Sequence, residues 1–164
     1  MNPALDSKIQ NPVRPDSTWP SLLDCSAKEV FQIMVQTDLT TISGPIAEVA
    51  VGDTTAMVGL AGALCGVLYI RCNSHTAESI TGRMLGTGTV NPSEVADAIA
   101  EICNMVAGNF KGKITRLADH CMLSVPTVIR GEDYEMVAIA DGDRITCCLG
   151  YDRSPLWVCL AIHS

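Results

Sequence analysis

The chain has 164 residues and a net charge of −7 at neutral pH; 48% of its residues are hydrophobic and 18% are charged. This length fits one domain or two half-sized repeats, and the apolar content excludes a disordered chain. Because the few basic residues are not clustered, the composition excludes a nucleic-acid-binding surface and disfavours an anionic membrane partner. We see neither a run of the ~18 apolar residues that a transmembrane helix needs nor a signal peptide, and therefore expect a cytoplasmic protein.

Eight cysteines are spread along the chain without a C-x-x-C pair and without a Cys/His spacing typical of zinc sites. Most of them lie inside apolar runs, so we expect reduced, buried thiols and no metal bound by this chain. Cys147 and Cys148 are neighbours in a predicted strand, and their side chains should therefore point to opposite faces of the sheet. A thiol or metal protein is the weakest hypothesis, because only the cysteine count favours it.

The first 20 residues contain four prolines among Asn, Asp and Ser. This composition predicts a flexible N-terminal tail over 1–20 and a single domain over 21–164. The domain opens with apolar residues at helical spacing, which predict a helix from Leu22 to Leu39.

Apolar runs and turn signals predict the other elements in chain order. Asn73 or Ser74 caps a short helix that ends near Gly86, and a longer helix runs from Pro92 to about Lys111. Strands are predicted over Ser43–Val51, Thr55–Leu60, Leu64–Ile70, Met122–Arg130, Tyr134–Ala140, Arg144–Tyr151 and Leu156–Ile162. Few connections are long enough for parallel crossovers, so we predict an α/β fold of the α+β type, with a mainly antiparallel sheet packed against helices.

Two local signals refine this prediction. Pro126 indicates that its strand is an edge strand or is bulged, and Asp141-Gly142 is a strong hairpin signal. A weak internal repeat also relates Glu29–Met34 to Glu101–Val106, since each reads carboxylate, two apolar residues, carboxamide, two apolar residues. The repeat predicts a pseudo-two-fold fold with half-repeats of about 22–88 and 91–164.

The long helix carries the most informative pattern in the chain. Asn91 is a good N-cap, Pro92 suits the first helical position, and Glu94 can complete a capping box. Most of the helix is apolar, and its polar residues fall at spacings of three and four on one narrow face. This polar stripe consists of Glu94, Asp97, Glu101, Asn104, Gly108 and Lys111.

Glu101 and Asn104 lie one turn apart and project together. A carboxylate can pair with a partner's Lys, and a carboxamide, with both a donor and an acceptor, can hold a water molecule in line for attack. Phosphoryl transfer depends mainly on such positioning and on electrostatics. On spacing alone, the simpler interpretation is the solvated side of an amphipathic helix.

The pattern Asp97-x-x-x-Glu101-x-x-Asn104, which continues through Gly108, looks like the signature helix of the CheC/CheX/FliY family. Members of this family are phosphatases that dephosphorylate the chemotaxis response regulator CheY. Leu123–Ile129 resembles the stretch that follows this helix in CheX, and Gly62–Leu68 resembles the first half of the family. The resemblance covers about residues 22–164.

The resemblance implies a mechanism in which the helix docks on a phosphorylated receiver domain. Asn104 would position the hydrolytic water, Glu101 would pair with a receiver Lys, and Mg²⁺ would belong to the receiver, so that this chain binds no cofactor. Asp97, Gly108 and Lys111 are candidate partner contacts, although Asp97 and Lys111 equally suit the two ends of the helix dipole. The resemblance further implies a homodimer.

The first half carries Glu29-x-x-Gln32, with Cys25 where the second half has Asp97. Gln is one methylene longer than Asn, so its amide would be placed differently, and we predict that this first motif is inactive. The pattern therefore favours a CheX-type rather than a CheC-type protein. A non-catalytic adaptor for a receiver domain is the alternative, because fold does not fix function.

Overall fold

Four helices and seven strands make up the part of the chain that the computed structural model describes, residues 12–44, 53–132, 134 and 142–163. The helices are α1 (Trp19–Met34), α2 (Ser74–Leu85), α3 (Pro92–Gly112) and α4 (Thr115–Ala118). The strands are β1 (Thr40–Thr41), β2 (Thr54–Gly62), β3 (Cys65–Cys72), β4 (Cys121–Leu123), β5 (Thr127–Arg130), β6 (Arg144–Tyr151) and β7 (Ser154–His163).

The strands form one sheet in the order β1-β6-β7-β3-β2-β4, and β5 also pairs with β2. Every pairing between these strands is antiparallel. The predicted α+β fold with an antiparallel sheet is therefore confirmed.

The sheet topology agrees with the predicted internal repeat. The hairpins β2-β3 and β6-β7 meet through their second strands, so that β3 and β7 lie side by side at the centre. Each half also supplies an edge to the other, because β1 pairs with β6 and β4 with β2. The helices interlock likewise: α1 packs on β6 and β7, whereas α3 packs on β2 and β3.

Both faces of the sheet contain buried residues. The face under α1 and α3 holds the main core, in which Cys147 is buried, and the opposite face holds a smaller cluster of Tyr69, Cys148, Trp157 and Cys159. The predicted opposite orientation of Cys147 and Cys148 is thus confirmed. Six cysteines are buried as expected, but Cys25 and Cys65 are exposed, and all eight are free thiols.

The prediction of a flexible tail is wrong for residues 12–20. The backbone N–H of Val13 donates to the carbonyl of Ala63 at 2.8 Å, and the Val13 side chain is buried. Trp19 begins α1, and its ring packs edge-on against Phe110 with centroids 5.5 Å apart. Burial of these two apolar side chains orders a segment whose prolines alone predict an extended, solvated chain. Residues 1–11 lie outside the described residues.

The first helix also ends earlier than predicted, at Met34 rather than Leu39. Val35 caps it, and Gln36 has a φ of +54°, a left-handed conformation that cannot continue a helix. The predicted strand 43–51 and the predicted strand 134–140 with its 141–142 turn lie largely outside the described residues. Thr40–Thr41 and the short α4 were not predicted.

The predicted strand 122–130 is two strands separated by a bulge. Leu60 pairs with Leu123 and Met57 pairs with Thr127, so three residues of this strand oppose two residues of β2. The bulge contains Pro126 and lies in the edge strand, as the proline predicts. Ser124 fixes it: its N–H donates to the Gly59 carbonyl at 2.9 Å, and its Oγ accepts the Gly59 N–H at 2.8 Å.

Helix α2 has the predicted caps. The side chain of Asn73 accepts the Thr76 N–H at 2.7 Å, and Gly86 ends α2 in the left-handed conformation at φ +67°.

Among the described residues, no helix combines the length and the apolarity that crossing a membrane requires.

Candidate functional site

The candidate site lies on α3, whose N-terminus is fixed by a capping box. Asn91 Oδ1 accepts the Glu94 N–H at 3.0 Å, and Glu94 Oε2 accepts the Asn91 N–H at 2.8 Å. The predicted roles of Asn91, Pro92 and Glu94 are therefore confirmed. Glu94, the first residue of the polar stripe, is used within the chain.

One side of α3 is buried against the sheet and the neighbouring helices. The buried side chains are those of Val95, Ala98, Ile99, Ile102, Cys103, Val106, Ala107 and Phe110. The opposite side carries Asp97 and Glu101, which are exposed, and Asn104 and Gly108, which are partly exposed. The predicted polar stripe thus lies on the solvent side of the helix.

Lys111, at the end of the stripe, is turned back onto the chain. Its Nζ donates to the carbonyls of Ala118 at 2.8 Å and Cys121 at 2.9 Å. This ammonium therefore ties the end of α3 to the segment that leads into β4. Two backbone carbonyls therefore already accept from Lys111, and its role as a partner contact stays a prediction.

The side chains in the middle of the stripe have no partner within the described part of the chain. Within the described residues, the side chains of Asp97, Glu101 and Asn104 make no hydrogen bond and no ion pair. A Cβ built at Gly108 would meet only Leu123 Cδ1, at 4.0 Å, so this position is open toward solvent. A carboxylate and a carboxamide therefore lie one turn apart next to a flat part of the helix surface.

The bulged edge strand passes alongside this surface. Leu123 lies next to Gly108, with its Cδ1 4.0 Å from where a Gly108 Cβ would be. Farther along the strand, Arg130 Nη1 donates to the Pro92 carbonyl at 3.3 Å. Since these two contacts lie near opposite ends of α3, the bulge between them runs beside the middle of the helix. Its residue Val125 is 85% exposed.

The first-half motif has a different environment. Glu29 accepts hydrogen bonds from Asn109 Nδ2 at 2.8 Å and Cys25 Sγ at 3.2 Å, and it forms an ion pair with Lys113 at 2.8 Å. The hydrogen bond from Lys113, followed by those from Asn109 and Cys25, lowers the pKa of Glu29 to about 2. Glu29 is thus occupied by α3 of its own chain, whereas Gln32 is exposed.

Residues 54–149 match the family model described as chemotaxis phosphatase CheX. This match spans more than half of the chain and includes all of α3. The chain belongs to the CheX family. The expected CheX-type rather than CheC-type resemblance is confirmed.

Individual relatives agree with this family. The chain is 33% identical over 82 residues to the CheY-P phosphatase CheX of Thermotoga maritima, an alignment that spans 49% of this chain and 53% of that protein. It is similar to the crystal structure of chemotaxis protein CheX from Vibrio vulnificus, with a TM-score of 0.78 and 22% identity over 92% of this chain and 100% of that one. The CheX-CheY-BeF3-Mg²⁺ complex from Borrelia burgdorferi gives a TM-score of 0.74 and 20% identity at the same coverage.

The sequence prediction missed the contacts around Glu29. Glu29 and Lys113 are 84 residues apart, and no local spacing brings them together. The signal in the sequence is the excess of polar residues at the end of α3, where Asn109, Lys111 and Lys113 occupy every second position.

Proposed function

We propose that this protein hydrolyses the aspartyl phosphate of a CheY-like response regulator. The observation that carries the proposal is the solvent-facing pair of Glu101 and Asn104, which has no partner within the described residues and lies on a helix whose opposite side is buried. Support comes from the CheX family membership and from the relatives, one named a CheY-P phosphatase and one solved in complex with CheY.

In this proposal Asn104 enters the receiver's active site and orients the attacking water. Its carbonyl accepts a hydrogen bond from the water, and its NH₂ group donates to a neighbouring acceptor. Hydrolysis of a phosphoryl group requires little covalent chemistry from the protein, so a single well-placed amide is a sufficient contribution.

Glu101 and Gly108 serve docking. The Glu101 carboxylate pairs with a receiver Lys, and this pairing places Asn104 one turn farther along the helix at the phosphoryl group. Gly108 allows the receiver backbone to approach α3 closely, because the position carries no side chain. Asp97 adds negative charge at the N-terminal end of the same surface.

Val125 completes this docking surface with an apolar contact. Its exposed side chain lies on a bulge that Ser124 holds rigidly to β2. A rigid apolar residue next to a polar site loses little conformational entropy when a partner covers it.

Several features of the proposal concern the assembly. Mg²⁺ is bound by the receiver, where it offsets the charge of the phosphoryl group. This chain supplies none of the residues that hold the ion. We also propose that the protein acts in the cytoplasm as a homodimer, as its family resemblance implies; light scattering of the purified chain measures the oligomeric state.

The test is the decay of aspartyl phosphate on a CheY-like receiver from the same organism, with and without this protein. The receiver is phosphorylated with a small-molecule phosphodonor in the presence of Mg²⁺, and binding is measured in parallel. Faster decay supports the proposal. Binding to the phosphorylated receiver without faster decay contradicts it and identifies an adaptor.

A further inference from the structure

The C-terminal half of α3 is held from two sides. On one side, Asn109 and Lys113 donate to Glu29 of α1 at 2.8 and 3.0 Å. On the other side, Lys111 donates to the carbonyls of Ala118 and Cys121. The open surface at Gly108 lies between these two sets of contacts.

Contacts on opposite sides of a helix restrict its rotation about its own axis. Asn109 and Lys113 lie one turn apart on the side that faces α1, whereas Lys111 lies on the side that faces β4. The three donors lie within about one turn of one another, and their acceptors belong to different parts of the fold. Rotating α3 in either direction would lengthen one set of hydrogen bonds.

This restriction matters for the direction of Asn104. Side chains reach about 5–6 Å from the axis of an α-helix, so a rotation of about 10° moves the end of a side chain by about 1 Å. A displacement of that size is enough to slow a reaction about a hundredfold when a group must be aligned with the reacting atoms.

Resting on the proposed function, we propose that Glu29 is a positioning residue for hydrolysis and that it acts through Asn109 and Lys113 to fix the direction in which Asn104 projects. The carboxylate of the first-half motif has thus become part of the support of the second-half site. Its ion pair with Lys113 is exposed and adds little to the stability of the chain, so its effect is expected in the rate of hydrolysis.

The experiment compares wild type, Glu29→Lys and the double variant Glu29→Lys/Lys113→Glu. The single variant sets two ammonium groups against each other, and the double variant restores the ion pair with its charges exchanged. We expect the single variant to lower the dephosphorylation rate at saturating phosphorylated receiver about tenfold. The half-saturating receiver concentration should not change, and the double variant should recover most of the rate.

Thermal unfolding of each variant is recorded, and the kinetics are run well below the lowest midpoint, so that loss of folded protein does not mimic loss of rate. If Glu29→Lys does not fold, Glu29→Gln replaces it, with Lys113→Gln as the matching partner change.

A wild-type saturating rate in the folded single variant overturns the inference, and so does an effect confined to the half-saturating concentration. Failure of the double variant to recover the rate also overturns it. Wild type and Asn104→Ala are measured in the same series. If wild type itself does not accelerate decay, the proposed function fails, and that outcome is distinct from the failure of this inference alone.

Discussion

Glu29 and Glu101 stand at equivalent positions of the two half-repeats, but their carboxylates have opposite environments. Glu29 accepts from Lys113, Asn109 and Cys25, whereas Glu101 is exposed and has no partner within the described residues. The same residue type at the same repeat position therefore serves the fold in one half and is free to serve a partner in the other. Within the described residues, the second-half motif presents an unoccupied carboxylate beside a carboxamide, and the first-half motif does not.

The environment of Glu29 predicts a small, pH-dependent contribution to stability, small because the ion pair is exposed to solvent. Its pKa falls from 4.5 to about 2 on folding, chiefly because Lys113 donates to it. The folded state thus releases this proton more readily than the unfolded state. The contribution is fully present above about pH 4.5 and is lost as the pH falls through about 2.

The measurement is urea unfolding of wild type and Glu29→Gln at about pH 7, about pH 4 and about pH 3. Wild type should be the more stable at the highest pH, and the difference between the two proteins should shrink toward the lowest. A difference that is constant or grows as the pH falls would show that the ion pair with Lys113 does not form in solution.

Glu101→Gln removes a charge and preserves the shape of the side chain. If Glu101 pairs with a receiver Lys, the half-saturating receiver concentration should rise about fivefold, equivalent to about 1 kcal/mol. The dependence of that concentration on salt should also weaken, because one attractive charge pair has been removed.

The control for this change is Glu78→Gln, which removes an exposed carboxylate from α2 rather than from the polar stripe of α3. It should leave the half-saturating receiver concentration and its dependence on salt unchanged. Equal effects of the two substitutions would indicate that only the net charge of the protein matters.

Much of this architecture could be predicted from the sequence because local signals dominate it. The Asn91 cap, the Gly86 end of α2 and the Pro126 bulge depend on the conformational preferences of single residues. The polar stripe of α3 follows from helical periodicity. These features need no knowledge of distant contacts.

The remaining features depend on contacts between segments far apart in sequence. Val13 is held by a backbone hydrogen bond to Ala63, and Lys111 bonds within the chain because the carbonyls of Ala118 and Cys121 lie within reach. Periodicity assigns Lys111 to the exposed face but cannot show what lies opposite its ammonium group. The contacts of Glu29 could not be predicted either, because its partner Lys113 is 84 residues away in sequence.

Gly108→Ala should change the stability of the protein and its affinity for the receiver in opposite directions. An Ala in the middle of an exposed helix face stabilises the helix by roughly 0.5–1 kcal/mol relative to Gly. The added methyl group fits, because it would meet only Leu123 at 4.0 Å. The variant should therefore unfold at a higher temperature yet require more receiver for half-maximal activity, since the methyl group occupies space that the receiver needs.

Gly112→Ala is the matched control, because a Cβ there meets nothing within 4 Å and the residue lies at the end of the same helix. Differential scanning calorimetry and the dephosphorylation assay measure the two effects. Unchanged receiver dependence in Gly108→Ala would exclude close contact between the partner and this part of α3.

Val125→Ser tests the apolar part of the docking surface. An exposed side chain on a bulge contributes little to folding, so stability should change by no more than about 0.5 kcal/mol. The half-saturating receiver concentration should rise several-fold, whereas the rate at saturation should not change. Ile33→Ser, which alters an apolar residue of α1 that is 69% exposed, is the control and should behave as wild type.

The central claim is that the carboxamide of Asn104 performs the catalysis. The most direct measurement is the rate of aspartyl phosphate decay at saturating receiver for Asn104→Ala and for Gln32→Ala, its counterpart in the first half-repeat. We predict that Asn104→Ala loses the acceleration while it still binds the phosphorylated receiver, and that Gln32→Ala retains the wild-type rate. A wild-type rate in folded Asn104→Ala, or an equal loss in both variants, would contradict this account.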